Sequence, residues 1–484
     1  MKRCRAAGSR GRSCRATVRA LTAAIDPAAL DPNASHPPLR ANLALTLRQR
    51  RGGALASGSI TARAVSFLRQ LIRWGWRAGE SLPTLQAGQP LLVAFTKNQA
   101  DVLEPVRRKL EGGGVEVEYL GHHGEAAGVF KAIRGPAYRR CLRYLPALVR
   151  HHRRATPSTR ESYRWAADSY LQTYGQWQLV YCWLQTGPPS VLVLANDHVR
   201  QACILRDVAQ RLGVPTVYLQ HACVTDRFPP LAFDVALLDG IDATEKYASA
   251  GHSDARVLLT GSPKFDSLLS GEHRDSQHSA PVGVCLSFAD DEGRLVTLLD
   301  ALGDSGIDVV VRPHPRMTAE DLPKARAAAR RYQMAWSDPQ AEASDAFLHR
   351  INVLIAGVSA ITLEAALSGV TPINFKTSDE NPDWYGFIDS GLCRQTSDPD
   401  ELVRWVLEPE PDAGHNRNAV LRRYCHVYNT PLAGHSTSLV AECIRQIHLG
   451  DEPGADGWAR LDSSPFSGGV LEREEPRPEN ASPG

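Results

Sequence analysis

Val309-Val-Val-Arg-Pro-His-Pro315 is where residue type and spacing point most directly to chemistry. A β-branched run ends in an arginine, then in a histidine held between two prolines. Each proline fixes its own φ and disfavours helix in the residue before it. Arg312 and His314 are thereby presented just past a buried strand. A guanidinium and an imidazole so placed suit an anionic leaving group, because both give charge-assisted hydrogen bonds. Ser359 ends another apolar run at the start of a predicted helix, whose free N–H groups also favour anions. Glu364, just over one turn later, is placed to hold a ribose or sugar hydroxyl. Thr260-Gly261-Ser262-Pro263-Lys264 adds an ammonium after a third run. His221 follows a fourth; with an ordinary pKa of about 6.5 it can deprotonate a hydroxyl.

These residues share a position in the pattern. Apolar runs at 91–95, 115–119, 191–194, 216–219, 235–238 and 257–259 alternate with helical segments, and the series resumes at 282–288, 307–311, 352–355 and 372–375. Such alternation predicts α/β structure with parallel, doubly wound sheets. Asn196-Asp197-His198, Gln220-His221, 260–264, Asp290–Gly293, Arg312–His314 and Gly357–Ser359 all fall at carboxyl ends, where open sheets bind ligands. Helix capping is the alternative role for Asn196, Asp197 and Ser359, and a solvated turn for 290–293.

The expected organisation is a disordered basic tail (1–40), a basic helical lead-in (41–88), a first Rossmann-like domain (89–268), a polar linker (269–281), a second such domain (282–448) and a disordered acidic tail (449–484). Two domains joined by one linker predict a cleft between facing edges.

Composition narrows the classes. The 484 residues carry a net charge of +2, which gives no whole-chain case for nucleic acid. The charge is uneven: residues 1–80 hold 15 Lys/Arg against 3 Asp/Glu, and 451–484 hold 3 against 8. Ten scattered cysteines without C-x-x-C fit reduced thiols and a cytoplasmic setting better than a disulfide framework or zinc site. No apolar run approaches the roughly 18 residues of a membrane span, and no signal peptide is expected. The basic segments 63–77 and 139–154 interleave Arg with Leu, Trp and Tyr, which suits an anionic membrane surface. Nucleotide-binding glycine motifs, H-E-x-x-H and G-x-S-x-G are absent from the sequence. Asp398-Pro-Asp400 reads as a helix start with proline at N1 rather than a metal motif, so no required metal is expected.

The motifs also resemble a family. Gly213-Val-Pro-Thr-Val-Tyr-Leu-Gln-His221, Phe233-Asp-Val-Ala-Leu-Leu-Asp-Gly240, Leu259-Thr-Gly-Ser-Pro-Lys-Phe-Asp266, Arg312-Pro-His-Pro315 and Gly357-Val-Ser-Ala-Ile-Thr-Leu-Glu364 occur in that order. Over about 90–447 this resembles the GT-B-fold transferases of bacterial surface polysaccharides: capsule-synthesis and polysialyltransferase-like proteins, and teichoic-acid glycerophosphotransferases. The resemblance implies a GT-B-like fold of two Rossmann-like domains. It implies a base at His221, donor-phosphate contacts at His314 and Ser359, and a Gly-Ser-Pro turn at Gly261–Pro263 with Lys264 replacing arginine. The glycine expected after the base is Ala222. Asp291-Glu292-Gly293 matches an acid motif of bacterial sialyltransferases, but opens the second domain, where a base is not expected. The implied function is inverting, metal-independent transfer of a sugar or polyol phosphate from a nucleotide-activated donor to a glycan or lipid-linked acceptor, at the inner face of the plasma membrane. A UDP-sugar 2-epimerase of the same fold, and a catalytically silent nucleotide-binding or assembly protein, are the alternatives.

Overall fold

The computed structural model describes residues 60–77, 79–154, 157–226, 228–270, 280–288, 290–318, 320–378, 382–408, 414–455, 457–461 and 466–474. The expected basic tail, residues 41–59 of the lead-in, most of the linker and residues 475–484 lie outside this set.

Two sheets organise the chain. In the first, β1 (Leu91–Val93), β2 (Glu118–Leu120), β3 (Leu192–Leu194), β4 (Thr216–Leu219), β5 (Val235–Leu238) and β6 (Arg256–Leu259) run parallel in the order β2-β1-β3-β4-β5-β6. In the second, β7 (Val282–Cys285), β8 (Val309–Arg312), β9 (Ala335–Trp336), β10 (Val353–Ala356), β11 (Thr371–Phe375) and β12 (Arg394–Thr396) run parallel in the order β9-β8-β7-β10-β11-β12. The inner strands are continuous apolar runs buried on both faces, as parallel strands covered by helices on both sides must be. The order reverses between β1 and β3, and again between β7 and β10, so each sheet is doubly wound about one switch point. This is the expected α/β, GT-B-like arrangement of two Rossmann-like units. Strands β9 and β12 escaped the sequence reading because edge strands are short, half exposed and only weakly apolar.

The chain then returns to the first sheet. In helix Ser436–Leu449, Leu439, Val440 and Ile444 share a core with Leu92, Val102 and Leu103. Strand β13 (Trp458–Arg460) pairs antiparallel with β14 (Val470–Arg473), and β14 lies parallel beside β6. The expected boundary at 448 and the disordered tail from 449 are corrected accordingly. Charge and breaker content dominated that reading, yet Trp458, Phe466, Val470 and Leu471 are buried and supply the apolar surface that orders the segment. The return presses on the turn after β6. Gly261 has φ +65°, and a Cβ there would lie 2.6 Å from both Val427 Cγ2 and Ser436 Oγ, so only glycine fits.

The basic helix Ile60–Gly75 packs on the helices Arg134–Cys141 and Pro157–Thr186. Its outer side carries an apolar row among exposed arginines: Val65, Leu68, Ile72 and, just beyond it, Trp76 are exposed to 44, 54, 60 and 87%. Arg63 instead lies inside, near Asp168. Leu142, Leu145 and Val149 form a second exposed apolar row. Arg139 joins the two rows by donating to the Gly75 and Arg77 carbonyls. No helix among the described residues is long and apolar enough to cross a membrane.

The carboxylate of Asp266, in the segment after β6, caps the returning helix. It accepts from Ser436 N and Thr437 N, each at 2.8 Å. Asp266→Ala is expected to cost about 1–2 kcal/mol in chemical denaturation, with Asp266→Asn recovering part. An unchanged midpoint for the alanine variant would contradict the cap.

Candidate functional site

The second sheet's edge is built from the ends of β7, β8 and β10. Asp290 braces it: its carboxylate accepts from Ser287 N at 2.6 Å and from Thr377 Oγ1 at 2.7 Å. A Cβ on Gly357 would lie 2.9 Å from both Asp290 Oδ1 and Thr377 Oγ1, so the loop after β10 rests directly on this brace. Asn374 adds a bond from Nδ2 to the Gly357 carbonyl at 3.0 Å. Ser359 then enters helix Ile361–Leu367 through its carbonyl, which accepts from Thr362 N at 3.3 Å. No cap bond from its hydroxyl is present among the described residues.

His314 follows β8. Its Nδ1 accepts from Arg316 N at 3.2 Å, so the neutral ring carries its proton on Nε2. Partial burial, and then the charge of Arg316, hold its pKa below the ordinary value. Phe288, 54% exposed at the end of β7, lies 5.4 Å from the imidazole, centroid to centroid.

Arg312 does not join this edge. Its guanidinium is buried, donates to Ser337 Oγ at 2.5 Å and to the Glu342 carbonyl at 2.8 Å, and lies over the Phe347 ring. The expected phosphate contact is corrected to a clamp that fixes the loop after β9.

The two units meet where Lys264, in the turn after β6, pairs with Glu364 of helix Ile361–Leu367. Two residues expected to bind the donor separately thus satisfy each other across the interface. Glu364 raises the Lys264 pKa against the opposing effect of burial. Gly261 and Ser262 are buried beneath the returning chain, Ser262 being 1% exposed, so neither presents a side chain to the cleft. A second seam lies nearby. Lys246 reaches Asp242 at 2.5 Å and the Tyr385 carbonyl at 2.8 Å, and Tyr424 OH donates to the Gly386 carbonyl at 2.7 Å.

On the first edge, Asn196 is a cap: its Oδ1 accepts from His198 N at 3.1 Å and Val199 N at 2.7 Å. Asp197 is not. Its Oδ1 lies 2.7 Å from His198 Nδ1. His221 follows β4, with Nδ1 buried and without a partner. Burial lowers its pKa to about 4; Asp197 opposes the shift, while the nearby Lys264 ammonium, and His198 when protonated, add to it. His221, His198, Asp197 and Lys264 therefore occupy one neighbourhood.

Solved structures resemble this arrangement. The chain is similar to MnaA of S. aureus, solved with UDP: 11% identity, 75% of this chain and 98% of that one covered, TM-score 0.47. It is similar to the UDP-GlcNAc 2-epimerase of Neisseria meningitidis bound to UDP-GlcNAc: 12% identity, 74% and 100% covered, TM-score 0.45. It is also similar to the wall teichoic acid polymerase TagF: 10% identity, 80% and 97% covered, TM-score 0.45. No protein-family model and no curated protein matches the chain.

The remaining acidic motifs are structural. Asp291 caps helix Glu292–Asp304, and Glu292 Oε1 accepts from Lys324 N at 2.5 Å. Asp398 Oδ1 accepts from Asp400 N at 2.9 Å, as a cap. No group of three or more His, Cys, Asp or Glu among the described residues is placed to hold a metal. Two residues of these edges went unread. An aromatic closing the 282–288 run was a usable signal for Phe288; Tyr247, inside a helix, gave none.

The depressed pKa of His221 has a stability consequence. Between about 4 and the ordinary 6.5 the unfolded chain binds the extra proton, so this contribution is full above 6.5 and is lost as pH falls toward 4. Denaturation midpoints from about pH 7 to about pH 4 should fall more steeply for the wild type than for His221→Gln. Parallel pH profiles would show that the ring is not held neutral by burial.

Proposed function

We propose that the chain is a transferase moving a sugar or polyol phosphate from a nucleotide-activated donor to a glycan or lipid-linked acceptor. The Lys264–Glu364 pair carries this reading, because it brings a cation from the first edge against an acid from the second. A donor offers a phosphate to the ammonium and a ribose or sugar hydroxyl to the carboxylate. It replaces one ion pair with two charge-assisted contacts, which lets it enter without stranding either charge. His314 Nε2–H and the Ser359 hydroxyl face the same task from β8 and β10: both are donors for a leaving phosphate. Donors held in place before the reaction act most strongly on charge that develops in the transition state. We propose that these groups suffice without a divalent metal. The acceptor's base is an imidazole of the first edge, where His221 and His198 lie. An epimerase needs several free carboxylates beside the sugar; Asp290 and Asp197 are engaged in bonds within the protein, which leaves Asp239, with its unpartnered Oδ1, as a lone candidate among these three.

The test is acceptor-dependent nucleotide release from CMP-, CDP-, UDP- or GDP-activated donors. Release should persist in EDTA, and His314→Ala should lower kcat by about 10²-fold or more. Sugar interconversion without nucleotide release would replace this reading with the epimerase. No turnover of any donor would leave a binding protein.

The site also has a proposed location. Val65, Leu68, Ile72, Trp76, Leu142 and Val149 stand outward among arginines 69, 73, 77, 143 and 150. Apolar rows flanked by guanidinium groups match the boundary of an anionic bilayer, where a lipid-linked acceptor resides. Co-sedimentation should be stronger with anionic than with neutral vesicles and should drop for Ile72→Ser/Trp76→Ser. Equal binding to both vesicle types would exclude the contact.

A further inference from the structure

The Asp197–His198 pair has a geometry that the resemblance did not assign. The two caps from Asn196 fix the backbone at the end of β3, and with it the direction of both side chains. Asp197 is 3% exposed and held from two sides. Its Oδ1 lies 2.7 Å from His198 Nδ1, and its Oδ2 accepts from Tyr247 OH at 2.7 Å. Tyr218 OH stands 3.0 Å behind Tyr247 OH, and the two buried rings meet edge-on at 5.9 Å. A carboxylate only accepts, so the proton of neutral His198 sits on Nδ1 and the Nε2 lone pair is left to act. The His198 side chain is 31% exposed, with its ring tilted against Phe228 at 5.1 Å. It lies at the first sheet's switch point, between the carboxyl ends of β1 and β3. His221, by contrast, buries an unpartnered Nδ1, and no carboxylate orients its ring.

We propose that His198 is the general base that takes the acceptor's proton, with Asp197 as the residue that positions it and Tyr247 holding Asp197. This rests on the transferase reading above. As the acceptor oxygen forms its bond to the donor's reacting carbon or phosphorus, its proton passes to His198 Nε2. The bond from that centre to the leaving phosphate oxygen breaks, and its electron pair departs with the nucleotide. The imidazolium is stabilised by Asp197 and returns its proton to water.

The test compares His198→Ala, His221→Ala and Asp197→Asn in the full chain, reading donor affinity and transfer separately. His198→Ala should lower kcat by about 10²–10⁴-fold. Its donor Kd should stay near wild type, and added imidazole should restore part of the rate, which a structural loss would not allow. His198→Gln, which keeps a donor toward Asp197 but no basic nitrogen, serves if the alanine variant unfolds. Asp197→Asn should lower kcat at nearly unchanged KM, since the wrong ring tautomer is then favoured. His221→Ala should be the less damaged histidine variant and gain nothing from imidazole. If the wild type transfers and His198→Ala keeps near-full turnover, or imidazole rescues His221→Ala instead, the assignment is overturned while the transferase reading stands. If the wild type releases no nucleotide from any donor, both fall.

Discussion

Because neighbouring strands from β1 to β6, and again from β7 to β12, run parallel, every βα turn emerges on the same edge of its sheet. The apolar runs must be covered by helices on both faces, so their side chains are committed to packing. Only the few residues past each carboxyl end are released from that duty. Polar side chains free of packing are therefore gathered on two edges, and those edges meet at the Lys264–Glu364 pair. The Asp290 brace under Gly357 and the Asn196 caps after β3 are local consequences: a turn that presents a side chain must first satisfy its own backbone.

At the meeting point the chain keeps its charges paired. Lys264 and Glu364 answer each other, and Arg312 is spent inside the second unit on Ser337 and Glu342. The two cations that look alike in sequence differ in what surrounds them. Lys264 has its partner across the interface, whereas Arg312 is buried and tied within its own unit to the Ser337 hydroxyl and the Glu342 carbonyl. His198 and His221 divide in the same way. One imidazole is oriented by a held carboxylate and reaches solvent, while the other is kept neutral by its surroundings.

Much of this was legible in the sequence. Ten strands were marked by their apolar runs, and the polar residues that close them were correctly placed at carboxyl ends. The direction of each side chain was harder to read. In β8, Arg312 follows the period-two alternation and shares the side of Val310, which packs with Phe347, whereas Val309 and Val311 pack with Leu299. That alternation already sent the guanidinium inward, but the neighbouring Pro-His-Pro drew attention outward. The capping signal of Asn196-Asp197 was half correct, because one side chain caps and the other does not. Nothing local distinguishes them: the decisive partner, Tyr247, is fifty residues away. The return of the chain was hidden for a related reason, since isolated apolar residues in an acidic stretch acquire meaning only beside β6.

That return sets an order of events during synthesis. A ribosome delivers the chain from its amino end, and by the time β6 has emerged the second unit is still unmade. The outer side of β6 then offers its free backbone groups to water for more than two hundred residues of elongation, until β14 arrives to cover them. A bare parallel edge of that kind invites pairing with other chains. The first unit is thus completed last, from material translated after the second. A nascent chain halted anywhere in between would hold the six parallel strands of its first unit beside an unsealed seam.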